Sequence, residues 1–348
     1  MHDQRATLVF GGARTAAPTP APPPVPHDPP AADDPDAPRL PRYRVGRLVG
    51  AGGMGRVYEA VDTVLERPVA LKVMRADVPA SERRRFRREA ILGARLLHPG
   101  LVRVYDMGHG ADGEAEWMAM EFLPGTDLLR LLDGARARRQ PLRWPAIVRA
   151  VCSVLGALQY LHDCGIVHRD IKPANMFLTR DPNTRFLTTK LLDLGVALDL
   201  DGPAPARAVE TLCGDPNYIA PEQTQTPHVD GRADIYSVGV SLYELTTGVL
   251  PFQTLTDAPL HELLAAHRER EPRPPSTRLP PGTPLALAAR IDRVFATACA
   301  KDPARRFASA REMADALAAP LDEELTSSEV WEAVDLDDLE VDPPASRA

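Results

Sequence analysis

The sequence predicts an α+β chain in two lobes, a small antiparallel β lobe with one helix followed by a larger, mainly α lobe. Three observations predict it. Short β-rich runs alternate with turns from Tyr43 to Lys72, the pattern of an antiparallel sheet. From Trp144 to His162 the apolar positions fall at 147, 148, 151, 154, 155, 158 and 161, the spacing of a buried helix face. And 348 residues, 44% of them apolar, suffice for one large domain or two lobes with separate cores.

The elements follow in order. Residues 11–41 hold 11 prolines among Ala, Asp and Thr, a composition that buries no core, so residues 1–42 are expected to form an extended, disordered arm. Ahead of the prolines stands Ala6-Thr-Leu-Val-Phe10. It reads either as a frayed terminus or as a docking peptide, with Thr7 a phosphorylation site for a phosphopeptide-binding adaptor. The β lobe is expected over 43–122, with a helix from Ala80 to Leu97 and more strand from Leu101 to Phe122. The helical lobe is expected over 123–318, with Asp234 to Thr246 and Pro284 to Cys299 also helical. After Ala319 the chain turns acidic, and 319–348 reads as a solvated tail. There, Val330, Trp331, Val334, Leu336 and Leu339 leave room for a short docking helix.

Bulk properties exclude several classes. A net charge of −7 gives no reason to expect nucleic acid as the partner. Cys152, Cys164, Cys213 and Cys299 have neither metal-ligand nor disulfide-framework spacing, which suits a reducing cytosol. No uncharged apolar run reaches membrane-spanning length and the first residues carry no signal-peptide core, so a cytoplasmic protein without a membrane span is expected.

The chemistry is carried by motifs. Gly50-Ala-Gly-Gly-Met-Gly55-Arg-Val57 is a loop whose glycines at 50, 52 and 55 let main-chain N–H groups approach phosphate oxygens. Such a loop alone is weak. Val69-Ala-Leu-Lys72 follows in a strand pattern, and a lysine among apolar neighbours needs an anionic partner, which Glu89 on the next helix can supply. His168-Arg-Asp170-Ile-Lys172-Pro-Ala-Asn175 is more specific. An Asp can accept a hydroxyl proton, a Lys can neutralise a transferring phosphoryl group and an Asn can ligate Mg²⁺. Leu191-Leu-Asp193-Leu-Gly195 places a second Mg²⁺-binding carboxylate at the end of an apolar strand.

In this order the motifs resemble the bacterial eukaryotic-like (Hanks-type) Ser/Thr protein kinases over residues 43–318. The resemblance continues at Ala220-Pro-Glu222, Asp234-Ile-Tyr-Ser-Val-Gly239 and Asp302-Pro-Ala-Arg-Arg306. It implies the bilobal protein-kinase fold and transfer of the ATP γ-phosphoryl group to Ser/Thr of proteins, including this chain itself. It implies adenine between Val49, Val57 and Ala70 above and Phe177 below, a gatekeeper at Met120, hinge groups at Glu121 and Leu123, and ribose near Asp127. Lys72 would hold the α/β-phosphates, Asn175 and Asp193 Mg²⁺, and Asp170 the substrate hydroxyl. Glu222 would pair with Arg306, and Asp234 would be structural. Thr211 in Thr-Leu-Cys-Gly resembles an activation-loop phosphosite, with Arg169 and Arg85 as its phosphate contacts; Leu198-Asp199 stands where a further basic residue is usual.

Several features stand apart. His98 reads as a structural hydrogen bonder and Cys213 as an ordinary thiol or a redox switch. Ala174 gives no support for a preference for basic peptides. Leu194 replaces the usual Phe, which implies a looser switch. Asp215 replaces a Thr whose hydroxyl donates to the catalytic Asp and accepts from the catalytic Lys. An ionised carboxylate can pair with Lys172 but cannot donate, and it repels Asp170. Three outcomes follow: Lys172 ties Asp215 up and leaves modest activity, the two carboxylates share a proton and shift the pH profile, or the loop turns away and binds substrate differently. The expected outcome is an active enzyme. The alternatives are a weak pseudokinase scaffold or a small-molecule kinase of related fold, whose members generally lack the Ala-Pro-Glu segment.

Overall fold

A computed structural model describes Asp34 and residues 37–53, 55–109, 116–180, 187–194, 197–199, 214–226, 229–256 and 258–319. Thr7, Met54, Thr211, Cys213 and the acidic tail lie outside them.

Five antiparallel strands form the first sheet: β1 (Tyr43–Ala51), β2 (Gly55–Asp62), β3 (Arg67–Met74), β4 (Val104–His109) and β5 (Glu116–Glu121), in the order β1-β2-β3-β5-β4. Gly55 sits where β2 crosses β3 so closely that a Cβ would lie 2.2 Å from the Val73 carbonyl oxygen, a position only glycine can fill. Helix α1 (Ala80–Arg95) packs Phe86 and Ala90 against Met74 and Met118 of the sheet. It ends two residues short of the expected Leu97. Leu96 is already extended, and the Pro that follows His98 disfavours helix just before it. His98 accepts from the Gly100 N–H at 3.0 Å, the structural role expected of it.

The arm reaches further into this lobe than composition predicts. Leu40 is buried and Ala37 packs beside it on the cluster of Tyr43, Tyr58 and Val69. Asp34 accepts from the Tyr58 hydroxyl at 2.7 Å and pairs with Arg56 at 3.0 Å. Apolar residues at 37 and 40 and one ion pair draw this stretch onto the sheet despite the surrounding prolines.

The second lobe holds β6 (Gly125–Asp127), α2 (Leu128–Arg138), α3 (Trp144–Asp163), β7 (Ile166–Val167), β8 (Met176–Arg180), β9 (Leu187–Leu191), β10 (Leu198–Asp199), α4 (Arg232–Thr247), α5 (Leu260–Glu269), α6 (Leu285–Ala298) and α7 (Ala310–Ala318). Strands β6, β8 and β9 form one antiparallel sheet, and β7 pairs with β10. Helix α3 is long and apolar enough to cross a membrane by length and composition. Here Val151, Val154, Leu155, Leu158 and Leu161 are fully buried in the core of this lobe. Helix α4 is buried on every side from Ala233 to Thr246. Its hydroxyls find main-chain acceptors: Ser237 donates to the Tyr218 carbonyl at 2.7 Å and Ser241 to the Ser237 carbonyl at 2.8 Å.

Candidate active site

The cleft is built outward from α4. Asp234 in its first turn is fully buried and accepts from the main-chain N–H of His168 at 2.9 Å and of Arg169 at 2.8 Å. His162, from the last turn of α3, meets the same carboxylate at 2.8 Å through Nε2. Burial works against the charge, but the His162 hydrogen bond and these neighbours outweigh it and hold the carboxyl below its ordinary range. Arg169 thereby keeps a φ of 67°, and Asp193 one of 60°, a conformation that non-glycine residues adopt only when their surroundings impose it. His168 Nε2 meets the Leu192 carbonyl at 3.1 Å, tying the two segments together.

This frame brings most of the sequence-singled residues into one cleft. Lys72 Nζ lies 2.8 and 2.9 Å from the two carboxylate oxygens of Glu89 and 3.8 Å from Asp193. Burial favours neutral Lys72, but the attraction of Glu89 and Asp193 prevails and raises its pKa. Asn175 Nδ2 donates to the Asp170 carbonyl at 2.8 Å and to its carboxylate at 3.0 Å, so its amide oxygen is turned away from these two bonds. Lys172 lies 3.2 Å from Asp170.

Around them, Gly50 pairs with Val57 across β1 and β2, just past Val49, and the Gly52 N–H donates to the Gly55 carbonyl at 2.9 Å. Ala70 faces Met120 across β3 and β5. The Glu121 N–H is taken by the Arg103 carbonyl at 2.8 Å, and its carboxylate by Lys190 at 2.8 and 2.9 Å. Leu123 follows two residues on. Asp127 pairs with Phe177 in the β6–β8 ladder and caps α2 by accepting from the Arg130 N–H at 2.9 Å. That cap marks a helix the sequence analysis passed over, although Asp before Leu-Leu-Arg-Leu-Leu is a start signal.

Glu222 and Arg306 form a bidentate pair at 2.6 and 2.8 Å. The Arg306 side chain is wholly buried, with further bonds to the Ala300 and Arg232 carbonyls, both 2.8 Å. Leu194 packs in the core cluster that includes Leu92 and Leu96. Arg85 pairs with Glu82 at 3.0 Å on α1.

Asp215 pairs with Lys172 as expected, but not as its main contact. Its carboxylate is 3.7 Å from Lys172, a loose pairing. Its Oδ1 instead accepts from both the N–H and the Nδ2 of Asn217, each at 3.0 Å. The carboxylates of Asp170 and Asp215 share Lys172, which lies 3.2 Å from the first and 3.7 Å from the second. Asp170 accepts a hydrogen bond at 3.0 Å from the Asp215 main-chain N–H. The donor that a hydroxyl would supply comes from the backbone. Gly214 makes this possible: its φ is +92°, and a Cβ there would lie 2.5 Å from the Arg169 carbonyl oxygen. Asn217 and His162 were not singled out from the sequence. The Asp-x-Asn turn pattern was the available signal for the first; a histidine ending an apolar helix gave none for the second.

A protein kinase domain profile matches residues 43–317. The chain is 40% identical over 275 residues to the serine/threonine-protein kinase pkn3 of Myxococcus xanthus, covering 77% of this chain and 48% of that protein. It is 38% identical over 277 residues to PknF of Mycobacterium tuberculosis, covering 79% of this chain and 55% of that one. The chain thus spans about half the length of these curated relatives. The crystal structure of the M. tuberculosis PknI kinase domain superposes with a TM-score of 0.59 at 31% identity, over 80% of this chain and 96% of that one. With that match and this geometry, the chain belongs to the protein kinase domain family, alongside the bacterial Ser/Thr kinases.

Proposed function

We propose that this chain is an ATP-dependent Ser/Thr protein kinase that phosphorylates proteins in the cytoplasm, itself included, with Thr211 as an autophosphorylation site. The observation that carries the reading is the closed line Glu89–Lys72–Asp193 beside the Asp170–Asn175 pair. A decayed site would have no use for a buried lysine held by two carboxylates. This supports the active enzyme over the scaffold.

The nucleotide would lie between the β1–β2 turn and Phe177, with Lys72 on its phosphates and the Glu121 and Leu123 main chain at its base. Asp193 and the amide oxygen of Asn175 are hard oxygen donors, and two such donors suit Mg²⁺, which is usually completed by phosphate and water. Mg²⁺ bound there would offset phosphate charge. Asp170 would accept the hydrogen bond of the substrate hydroxyl, and its own orientation is fixed by Asn175 and the Asp215 amide. Lys172 stands close enough to offset charge on the moving phosphoryl group. Because the transition state is loose, positioning and charge neutralisation supply most of the rate. Arg169 and Arg85 would receive the phosphate on Thr211, and Thr7 would be read by a phosphopeptide-binding adaptor.

Intact mass and phosphosite mapping after incubation with ATP and Mg²⁺ test this, with Asp170→Asn alongside. Phosphate on the wild type alone supports the kinase. Absence of transfer to itself and to an added protein substrate contradicts it.

A further inference from the structure

The protein kinase match begins at Tyr43, yet a carboxylate ahead of it reaches the roof of the cleft. Asp34 Oδ2 accepts from the buried Tyr58 hydroxyl at 2.7 Å, and Arg56 Nη1 lies 3.0 and 3.3 Å from Oδ2 and Oδ1. The Asp34 carbonyl accepts from the Ala37 N–H at 3.0 Å, and Ala37 and Leu40 pack on the apolar cluster that holds the Tyr58 ring. The acid is therefore tethered on its own side as well as through its side chain.

Arg56 and Tyr58 flank Val57 in β2. Side chains alternate along a strand, and residues paired across strands share a face. Val57 pairs with Gly50 of β1 and with Lys72 of β3. Lys72 points into the cleft, where it meets Glu89 and Asp193. Val57 therefore points there too, and Arg56 and Tyr58 project from the opposite face. Arg56 also follows directly on Gly55, whose N–H and carbonyl close the β1–β2 turn against Gly52 at 3.3 and 2.9 Å. Asp34 thus grips the base of that turn from behind. A phenylalanine would fill the space of the Tyr58 ring; the hydroxyl adds the bond to Asp34.

We propose that Asp34 is a positioning residue of the nucleotide site, contributed from outside the kinase-domain match. It clamps Arg56 and Tyr58 on the outer face of β2, and so fixes Val57 and the turn closed by Gly52 and Gly55 above the nucleotide. The nucleotide half of this statement rests on the proposed kinase reading; the clamp on β2 does not.

Three full-length variants test it: Asp34→Ala, Asp34→Asn and Tyr58→Phe. Each is compared with the wild type by amide exchange, by titration with AMP-PNP and Mg²⁺, and by steady-state kinetics on ATP and casein. Asp34→Ala removes both side-chain contacts. It is expected to exchange faster over residues 50–57, to bind AMP-PNP about fivefold more weakly and to raise KM for ATP by the same factor, with KM for casein unchanged. Asp34→Asn keeps an acceptor for Tyr58 and loses the charge that holds Arg56. Tyr58→Phe does the converse, and each is expected to show part of the effect. Exchange over 50–57 unchanged in Asp34→Ala would overturn the clamp. Faster exchange there with AMP-PNP affinity unchanged would overturn the positioning role and leave a contact that serves the fold alone. So would faster exchange across the whole β lobe with KM for casein raised alongside KM for ATP. If the wild type binds no AMP-PNP, the kinase reading fails, and the exchange comparison still decides the clamp.

Discussion

The two sides of the cleft hold their charged groups by different means. On the nucleotide side, Lys72 is gripped by the side chains of Glu89 and Asp193, each from a separate element. On the substrate side, Asp170 is oriented by the Asn175 amide and by the main-chain N–H of Asp215. The first arrangement depends on residue identity at three positions and fails if any one is lost. The second depends in part on the path of the backbone, which presents the residue-215 N–H whatever side chain stands there. On the proposed kinase reading, an unusual residue at 215 is no sign of decay, because the main chain offers Asp170 a donor.

The comparison can be broken in several places. The largest effect is expected at Asp170→Asn, with a fall of about 10²–10⁴ in phosphoryl transfer and unchanged thermal stability. A comparable loss of stability would show that Asp170 serves the fold instead.

Next comes the frame beneath both sides. Arg306→Ala leaves Glu222 facing a hole where a wholly buried guanidinium had stood. It should cost about 3–5 kcal/mol in denaturant unfolding. A cost under about 1 kcal/mol would mean that the pair is idle.

His267, buried near the end of α5 with the Tyr236 hydroxyl 2.9 Å from its Nδ1, gives a smaller, pH-dependent effect. Burial, and then the Lys301 charge, depress its folded-state pKa to about 3, below an unfolded value of about 6.5. The unfolded chain therefore binds the extra proton first as pH falls. The stability from neutral His267 is complete above about pH 6.5 and is lost progressively toward pH 3. Between pH 6.5 and 5 this amounts to about 2 kcal/mol. Carboxylates also titrate in this range, so the sharp comparison is with His267→Phe, whose unfolding free energy should fall less over the same interval. Equal slopes would contradict a neutral buried ring.

How much of this was legible in the sequence follows the same division. The Lys72–Glu89 pair was legible because a lysine among apolar neighbours needs an anionic partner. The Glu222–Arg306 pair was implied by the family resemblance, and the approach of Asp193 to Lys72 was not foreseen. The α3 stripe was legible because burial enforces one period along 20 residues. Helix α7 was not foreseen, although Ser309 and Glu312 mark its start and Ser309 accepts from the Glu312 N–H at 3.1 Å. The Asp215 amide was beyond reach, since every residue but proline carries the same N–H. What aims it is Gly214, whose positive φ is invisible until the Arg169 carbonyl is seen to crowd it. His162 and His267 were missed because their partners lie 72 and 31 residues away.

The smallest effect tests the central claim. Phosphoryl transfer to a protein substrate by wild type and by Asp215→Thr should be measured in parallel, with Asp170→Asn as the blank. If the Asp215 main chain already supplies the donor, the wild type runs well above the blank, and the Thr variant stays within about tenfold of it, a change worth no more than one hydrogen bond. A wild type no faster than the blank, beside a Thr variant that transfers phosphate, would contradict the account and make Asp215 the residue that silences this kinase.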